Sequence, residues 1–292
     1  MKKILLSLVA ALSFATLTTA QENVKFSASA DFVSRYVWRG QDLGGSSPSI
    51  QPGASVSWKG FSFGVWGAFN LQNLANEWSN LNLFNPRGVE LDWTLAYTFC
   101  NDMFTVQVTD YSFPASVPAG HDYWYFKEDH VFEAGLKFNG LENLPLRAEL
   151  YVNFFGNDKY SIGLDDEDGI VTPSDIIPTN TYSTYAELSY NPTIQSLGLD
   201  VSVFAGFAFN GGYTYSDYFD LLDMDVPTYL NPDEYIYTGF YGNKGFRCVN
   251  LGIGVTKQVN FFKLFTFPIT AKVILNPNTS NSYLVVGTGF SF

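Results

Sequence analysis

The sequence predicts an all-β protein: a closed antiparallel transmembrane β-barrel of about 12 strands, with short periplasmic turns and long extracellular loops. Three observations predict this fold: the composition, an alternation of apolar and polar residues, and an alternation of short and long connections. Of the 292 residues, 46% are apolar and 15% are charged, which excludes disorder. The 17% aromatic residues and the 25 glycines favour strands and turns over helices. A net charge of −12 excludes a nucleic-acid partner held by phosphate contacts.

The first twenty residues are predicted to be a signal peptide. Two lysines precede a short apolar run, and Thr18-Thr19-Ala20 has the small-x-Ala pattern of a cleavage site. The run is shorter than the ~20 residues that a membrane-spanning helix needs, and no longer apolar run follows it. We therefore expect a signal peptide over 1–20, which is removed on export, and a single outer-membrane barrel domain over 21–292.

Apolar and polar residues alternate along the mature chain. Even positions from Val24 onward are mostly apolar, whereas odd positions are small, polar or charged. This period of two indicates strands with one apolar face and one polar face, because successive side chains of a strand point to opposite sides. The twelve strands predicted by this rule are Val24–Arg39, Ser49–Trp58, Phe61–Asn70, Val89–Thr98, Phe104–Tyr111, His130–Phe138, Leu146–Phe155, Tyr182–Tyr190, Leu199–Phe209, Cys248–Thr256, Phe267–Asn276 and Tyr283–Phe292.

The predicted connections alternate in length, with short ones after even-numbered strands and long ones after all odd-numbered strands but the last. Such sorting places the turns at one end and the loops at the other, as in outer-membrane barrels. The alternative interpretation is a secreted β-sandwich or a soluble barrel whose apolar face points inward. The width of a twelve-stranded barrel favours the membrane form, because its lumen holds water and charges more easily than a solid apolar core.

Aromatic residues near the short turns, such as Trp58, Tyr97 and Tyr190, are predicted to form an interfacial girdle in contact with outer-membrane lipid. The last strand ends in phase on Phe292, which resembles the terminal recognition signal of outer-membrane barrels. That resemblance implies the barrel-assembly machinery as a partner. In lipid every backbone polar group must be paired, so we expect the last strand to bond to the first.

The polar face is predicted to line a hydrated pore. Its charged residues are Lys25, Asp31, Arg35, Arg39, Glu90, Asp92, Glu133, Lys137, Arg147, Glu149, Glu187, Asp200 and Lys272. The seven acids and six bases are nearly balanced, which argues against strong ion selectivity and favours screening of solutes by size and charge. The alternative interpretation is a network of ion pairs that plugs the lumen.

The segment Ser34-Arg35-Tyr36-Val37-Trp38-Arg39-Gly40 is similar to the S-x-Y-x-x-R-G element of the TorF-type porin family. The resemblance covers only the first hairpin and implies an outer-membrane porin with an unassigned solute. By this resemblance, the family's hallmark positions correspond to Ser34, Tyr36, Arg39 and Gly40. From the phase of the alternation, Tyr36 is expected to face lipid, Arg39 to face the solute and Gly40 to form the turn.

Other chemistry is weakly represented. An outer-membrane hydrolase is the main rival, but its base would have to be His121 or His130, and no nucleophile motif accompanies either residue. We therefore predict that the protein is not an enzyme and uses neither a metal nor another cofactor. Cys100 and Cys248 are expected at opposite ends of the barrel, too far apart for a disulfide. The tyrosine-rich stretch 210–247 is predicted to pack as a lid over the barrel mouth, and the alternative is that its rings stack against sugars or a partner surface.

The function predicted from the sequence is passive diffusion of small solutes through a porin in the outer membrane of a Gram-negative-type bacterium. The alternative is a closed barrel that has a structural, adhesive or surface-binding role through its extracellular loops.

Overall fold

The computed structural model describes residues 24–71, 89–113, 130–141, 143–158, 180–210, 213–221, 224–232, 235–237, 240–241, 245–261 and 265–292. The predicted signal peptide, His121 and part of the tyrosine-rich stretch lie outside these residues. Twelve long strands within the described ranges are β1 (Val24–Val33), β2 (Ser49–Trp58), β3 (Phe61–Asn70), β4 (Val89–Phe99), β5 (Phe104–Ser112), β6 (His130–Phe138), β7 (Leu146–Gly156), β8 (Thr184–Tyr190), β9 (Leu199–Asn210), β10 (Gly245–Phe261), β11 (Phe265–Asn276) and β12 (Asn281–Ser291).

These strands form one closed antiparallel barrel. Each strand pairs with its neighbours in the chain, and β1 pairs with β12 from Ser29 opposite Ser291 to Val33 opposite Gly287. Backbone hydrogen bonds between Ala28 and Phe292 extend this closure by one more pair. The wall therefore has no free edge, as a strand wall solvated by lipid requires. The predicted twelve-stranded closed barrel is confirmed.

Short and long connections lie at opposite ends of the barrel. The connections after β2, β4, β6, β8 and β10 are short and define the turn end, whereas those after β1, β3, β5, β7 and β9 are long and define the loop end. Shorter elements lie in the connections: Thr193–Ile194 pairs with the start of β9, and a helix of seven residues covers Tyr215–Leu221. In the described part of the chain, no helix has the length and apolar character needed to cross a membrane.

The apolar face of the strands points outward. Phe26 on β1 is 60% exposed, and Trp93, Leu136 and Val203 on other strands are exposed too. Their polar neighbours point into the lumen, where Thr94 on β4 hydrogen-bonds Thr109 on β5 at 3.0 Å. A belt of large apolar side chains around the whole wall is the surface of a barrel that is solvated by lipid hydrocarbon.

Aromatic rings lie along the turn end of the wall. The ring of Phe61 packs against that of Tyr97 with centroids 4.5 Å apart, and Tyr97 stacks on Phe99 at 6.0 Å. The contacts continue through Phe104 to Phe138 on β5 and β6. This row forms the aromatic girdle at the depth where amphipathic and aromatic side chains meet lipid head groups.

The first strand is shorter than the alternation predicts. It ends at Val33 instead of Arg39, and the chain then leaves the wall. The Ser34 backbone N–H still donates to Val286 on β12, and the Ser34 hydroxyl accepts from the Val286 N–H at 2.9 Å. Tyr36 and Trp38 continue the alternation in the sequence, but they lie inside the barrel and not in its wall.

Replacing the outward Leu95 with arginine should destabilise the barrel by about 2–4 kcal/mol, because a charge is placed against the hydrocarbon layer. Leu95 is 58% exposed on β4. The matched control is Ser55→Arg on the inward face, where neighbouring small residues leave room for a hydrated side chain. Urea unfolding of vesicle-inserted protein, followed by heat-modifiable gel migration, measures both variants. A larger loss for Ser55→Arg would mean that the two faces are exchanged.

Candidate functional site

Residues 34–44 fold back into the barrel from the loop end as a luminal hairpin. Its two short strands, Val37–Trp38 and Gln41–Asp42, pair with each other and with no strand of the wall. Arg39 and Gly40 form the turn between them, with φ of 48° and 76°. At the base, the backbone N–H groups of Leu43 and Gly44 both donate to the Tyr36 carbonyl. The hairpin is thus a closed unit that lies in the loop half of the lumen.

Arg39 at the tip of the hairpin forms a buried ion pair with Glu133 on β6. Both guanidinium Nη atoms donate to the carboxylate, with Nη2 to Oε1 at 3.0 Å. The two side chains are 8% and 1% exposed. The Glu133 carboxylate also accepts from the Tyr111 hydroxyl at 2.8 Å, and Arg39 donates to the Tyr241 hydroxyl at 2.6 Å. A bidentate and additionally hydrogen-bonded geometry is the one in which a buried pair offsets its desolvation cost.

Aromatic rings surround the guanidinium. Its central carbon lies 4.3 Å from the Trp38 ring centroid, 4.1 Å from Tyr151 on β7 and 4.6 Å from Tyr185 on β8. Trp38 in turn stacks on Tyr241 with centroids 6.1 Å apart. Cation–π contacts of this kind strengthen when water is excluded, so the rings hold the Arg39 side chain in one position.

Tyr36 anchors the base of the hairpin to the inside of the wall, so the expectation that it faces lipid is wrong. Its side chain is buried, its ring packs on Trp66 with centroids 5.6 Å apart, and its hydroxyl donates to Glu90 on β4. Burial, and after it the carboxylates of Glu90 and Asp92, raise the pKa of Tyr36 above its ordinary range. The phenol therefore stays protonated and remains a donor. The inversion arises because the chain leaves the wall at Ser34.

Gly40 allows the hairpin tip to approach the opposite wall. A Cβ at this position would overlap the Val249 carbonyl oxygen of β10, and the positive φ already disfavours other residues. The Asn276 side-chain amide of β11 donates to the Gly40 carbonyl at 3.0 Å. Each of the four hallmark positions thus has a structural role: Ser34 at the exit from the wall, Tyr36 and Arg39 at two anchors, and Gly40 at the far contact.

A cavity of about 540 Å³ lies beside the hairpin inside the barrel. Seven of the predicted pore-lining residues form part of its wall. They are Arg35, Arg39, Asp92, Lys137, Glu149, Glu187 and Lys272. A second cavity of about 220 Å³ shares Trp66 and Thr94 with the first and is otherwise lined mainly by small residues of β1, β2 and β3. The two cavities adjoin beside the hairpin, the larger lined by many charged side chains and the smaller mainly by small ones.

The remaining predicted pore residues are separated into two groups. Glu90 and Glu133 point inward but are buried, and each is bound by a residue of the hairpin. Four others, Lys25, Asp31, Arg147 and Asp200, are exposed and do not line the larger cavity. The structure therefore divides the predicted charged face into anchors of the hairpin, a cavity wall and an exposed remainder.

Several residues of the site are not predicted from the sequence. Tyr111, Tyr151 and Tyr185 lie on the polar faces of their strands, and an aromatic ring among polar neighbours is the pattern that could have identified them. Tyr241 lies in the tyrosine-rich stretch and is buried against the hairpin. Its partner Arg39 is 202 positions earlier in the chain, so no local pattern connects the two residues.

The described histidine and the two cysteines lie outside the hairpin and do not line the larger cavity. His130 hydrogen-bonds Asp110 at 2.8 Å, next to Phe132 at the loop end. Cys100 is exposed in the turn after β4 and Cys248 lies near the loop end of β10, and both thiols are free. The described ranges contain no group of three histidine, cysteine or acidic side chains placed to bind a metal ion.

Comparison with known proteins gives a family and a set of distant structures. A model of a bacterial protein family of unknown function, Gcw_chp, matches residues 18–231. No curated protein matches the sequence. The chain is similar to OmpF of Salmonella typhi in complex with daunomycin, with 10% identity, 92% of this chain and 98% of that chain covered, and a TM-score of 0.34.

Two further solved structures are similar at the same level. One is an outer-membrane channel from Pseudomonas putida F1, with 9% identity, 94% of this chain and 96% of that chain covered, and a TM-score of 0.35. The other is a deletion mutant of TodX, a monoaromatic hydrocarbon channel, with 9% identity, coverage of 97% and 91%, and a TM-score of 0.34. Likenesses this distant leave the function to be argued from the chain itself.

Proposed function

We infer that this chain, which belongs to the Gcw_chp family of bacterial proteins of unknown function, is an outer-membrane channel for small polar solutes that is narrowed by its luminal hairpin. The observation that carries the proposal is the pair of adjoining cavities beside the hairpin, the larger of which is lined by charged side chains. A barrel that served only as a rigid anchor would have no need of open, charged space beside its hairpin.

Small side chains on three neighbouring strands leave open space in the lumen next to the hairpin. The inward positions of β1, β2 and β3 that line the smaller cavity include Ser27, Ser29, Gly53, Ser55 and Gly64. Serine and glycine occupy little volume, and serine hydroxyls can hydrogen-bond to water or to a solute. A lumen lined in this way holds water and passes polar solutes, whereas larger side chains would close it.

The charges on the cavity wall favour polar solutes without strong preference for one sign of charge. Apart from Arg39, which pairs with Glu133, the basic members are Arg35, Lys137 and Lys272, and the acidic members are Asp92, Glu149 and Glu187. Mixed charges of this kind produce a field across a pore but a small net potential along it. The channel would then discriminate between solutes mainly by their size and by their hydrogen-bonding groups.

The outer membrane is the location that fits the wall. Closed barrels with an outward apolar belt, an aromatic girdle and sorted turns and loops are the form in which strands cross that membrane. The resemblance of residues 34–40 to the TorF-type porins agrees with this location. We propose that this chain is likewise an outer-membrane channel. Its short turns would face the periplasm and its long loops the outside of the cell.

A closed barrel with a role at the cell surface is the second candidate, and the tight packing around Arg39 favours it. The buried ion pair and the surrounding rings pack tightly in the loop half of the lumen. In this alternative the hairpin is a permanent plug, and the long loops carry the function.

Conductance in planar lipid bilayers separates the two candidates. We expect small discrete current steps from the refolded full chain, because the hairpin narrows the lumen without removing the cavity. Heat-modifiable gel migration of the same preparation shows that the protein is folded. A folded protein that gives no steps would exclude the channel and support the plugged barrel. Liposome swelling with sugars of graded size then sets the size limit of the solute.

A further inference from the structure

Three side chains on neighbouring strands form a row in the wall of the larger cavity. Asp92 on β4 lies opposite Trp66 on β3 and opposite Tyr111 on β5 in the strand register. Directly opposed residues of antiparallel strands have Cβ atoms about 4.5–5.5 Å apart, so the carboxylate stands between the two rings. All three side chains line the cavity of about 540 Å³.

The Asp92 carboxylate lacks a counter-charge in this row. The side chain is 7% exposed, and its Oδ1 atom has no hydrogen-bond partner among the described residues. Ser112 donates its backbone N–H to the carboxylate, but the charged groups that act on it most strongly are Glu90, Glu133 and Asp110, all acidic. A buried carboxylate among like charges is costly unless it takes up a proton or a cation joins it, and a bound ammonium group is such a cation. Glu133 obtains its cation from Arg39, and Asp92 lines a cavity that a solute can enter.

The two rings are held in place by the hairpin. Trp66 packs against Tyr36 with centroids 5.6 Å apart, and Tyr111 and Trp38 make an edge contact with centroids 5.5 Å apart. Faces of tryptophan and tyrosine attract an ammonium group, most strongly where water is excluded. A carboxylate between two such rings is a combination suited to an organic ammonium ion. It is poorly suited to Ca²⁺, which needs six to eight oxygen ligands.

We propose that Trp66, Asp92 and Tyr111 form a subsite for the ammonium group of a small amine-bearing solute. This inference rests on the proposed channel function and names the class of solute that the channel passes. The ammonium group donates to the free oxygen of Asp92 and lies between the rings. The apolar part of the solute contacts the ring faces, and its remaining polar groups reach the mixed charges of the opposite wall.

Three probes of equal length test the subsite: butylammonium, butanol and butyrate. The detergent-folded full chain is mixed with all three, and saturation-transfer NMR reports which of them contacts the protein. We expect the transfer to butylammonium to exceed that to the neutral and anionic probes. Asp92→Asn should reduce the ammonium signal by roughly tenfold, because a charge-assisted hydrogen bond and the cation–π contacts it orients are both lost.

The matched control is Asp200→Asn, which removes one negative charge from the inward face outside the cavity. If the ammonium signal falls equally in both variants, the net charge of the lumen binds the probe and the subsite is overturned. Trp66→Leu is the second test variant, should Asp92→Asn fail to fold, and it should weaken the same signal. Equal transfer to all three probes in the unmodified protein would also overturn the proposal.

Binding in micelles does not require conduction, so the two proposals fail separately. A folded protein that prefers butylammonium but gives no current steps contradicts the channel and keeps the subsite. A conducting protein without preference for the ammonium probe contradicts the subsite and keeps the channel.

Discussion

Replacing Arg39 with alanine is expected to undock the luminal hairpin and open the lumen while the barrel stays folded. The change removes the guanidinium that neutralises Glu133, and a buried carboxylate left without its partner costs about 3–5 kcal/mol. Because each 1.4 kcal/mol is a factor of ten, the undocked population should rise by about two orders of magnitude or more. The wall survives because the strands of the hairpin pair only with each other.

Single-channel conductance and gel migration together measure this effect. Arg39→Ala should give larger current steps, or a larger fraction of time in the open level, with unchanged heat-modifiable migration. Arg39→Lys should lie between the two proteins, because lysine keeps the charge but cannot make the two parallel hydrogen bonds of the guanidinium. Conductance of Arg39→Ala equal to that of the unmodified protein would show that the hairpin does not depend on the ion pair.

A stability control comes from the second arginine of the hairpin. Arg35 pairs with Asp42 at 3.4 Å, but both side chains are partly exposed, at 28% and 21%. Exposed pairs contribute at most about 1 kcal/mol, so Arg35→Ala should leave the hairpin docked. The current steps of Arg35→Ala should keep the size that the unmodified protein shows. The lost charge on the cavity wall should change only the preference between cations and anions.

The wall of the barrel follows from the sequence because its physical requirement is local. Each strand must present alternate residues to lipid and to the lumen. The polarity of each residue therefore indicates the side of the wall that its side chain faces. The predicted ranges Ser49–Trp58, Phe61–Asn70 and His130–Phe138 are the observed ones. Turn lengths add a second independent requirement, since neighbouring antiparallel strands at the turn end need only a short connection.

The hairpin could not be predicted in the same way because its partners are distant in sequence. Tyr36, Trp38 and Arg39 keep the alternating pattern, yet Tyr36 turns toward Glu90 and Arg39 toward Glu133. Periodicity describes two sides of a ribbon and contains no information about whether the ribbon lies in the wall or crosses the lumen. The local hint is the pair Arg39-Gly40, with glycine at the second position of a two-residue turn.

The alternation predicts which charged residues point into the lumen. Whether such a residue binds the hairpin or lines the cavity depends on its position along the barrel axis. Glu133 and Lys137 lie on the same face of β6, four residues apart, but Glu133 meets the hairpin and Lys137 lines the cavity. The pattern of alternation is identical for both. Only the position of the inward-folded hairpin distinguishes an anchor from a wall residue.

Gly40→Ala tests the docking of the hairpin without changing any charge. A methyl group at this position would overlap the Val249 carbonyl oxygen. Val249 lies at a bulge of β10, between Cys248 and Asn250, which both pair with β9. The positive φ of 76° adds about 1–2 kcal/mol for a residue with a Cβ. We expect the tip to leave the wall, the Asn276 hydrogen bond to the Gly40 carbonyl to be lost, and conductance to rise as in Arg39→Ala.

Gly45→Ala is the matched control for this clash. Gly45 lies just beyond the hairpin with a φ of 64°, and an added Cβ there meets no atom within 4 Å. It therefore carries a similar backbone penalty without the overlap, and its conductance should remain that of the unmodified protein. The double variant Arg39→Ala with Gly40→Ala should show less than the sum of the two effects, because an undocked hairpin cannot be undocked again. Additive effects, or equal effects of Gly40→Ala and Gly45→Ala, would contradict a tip that is held against Val249.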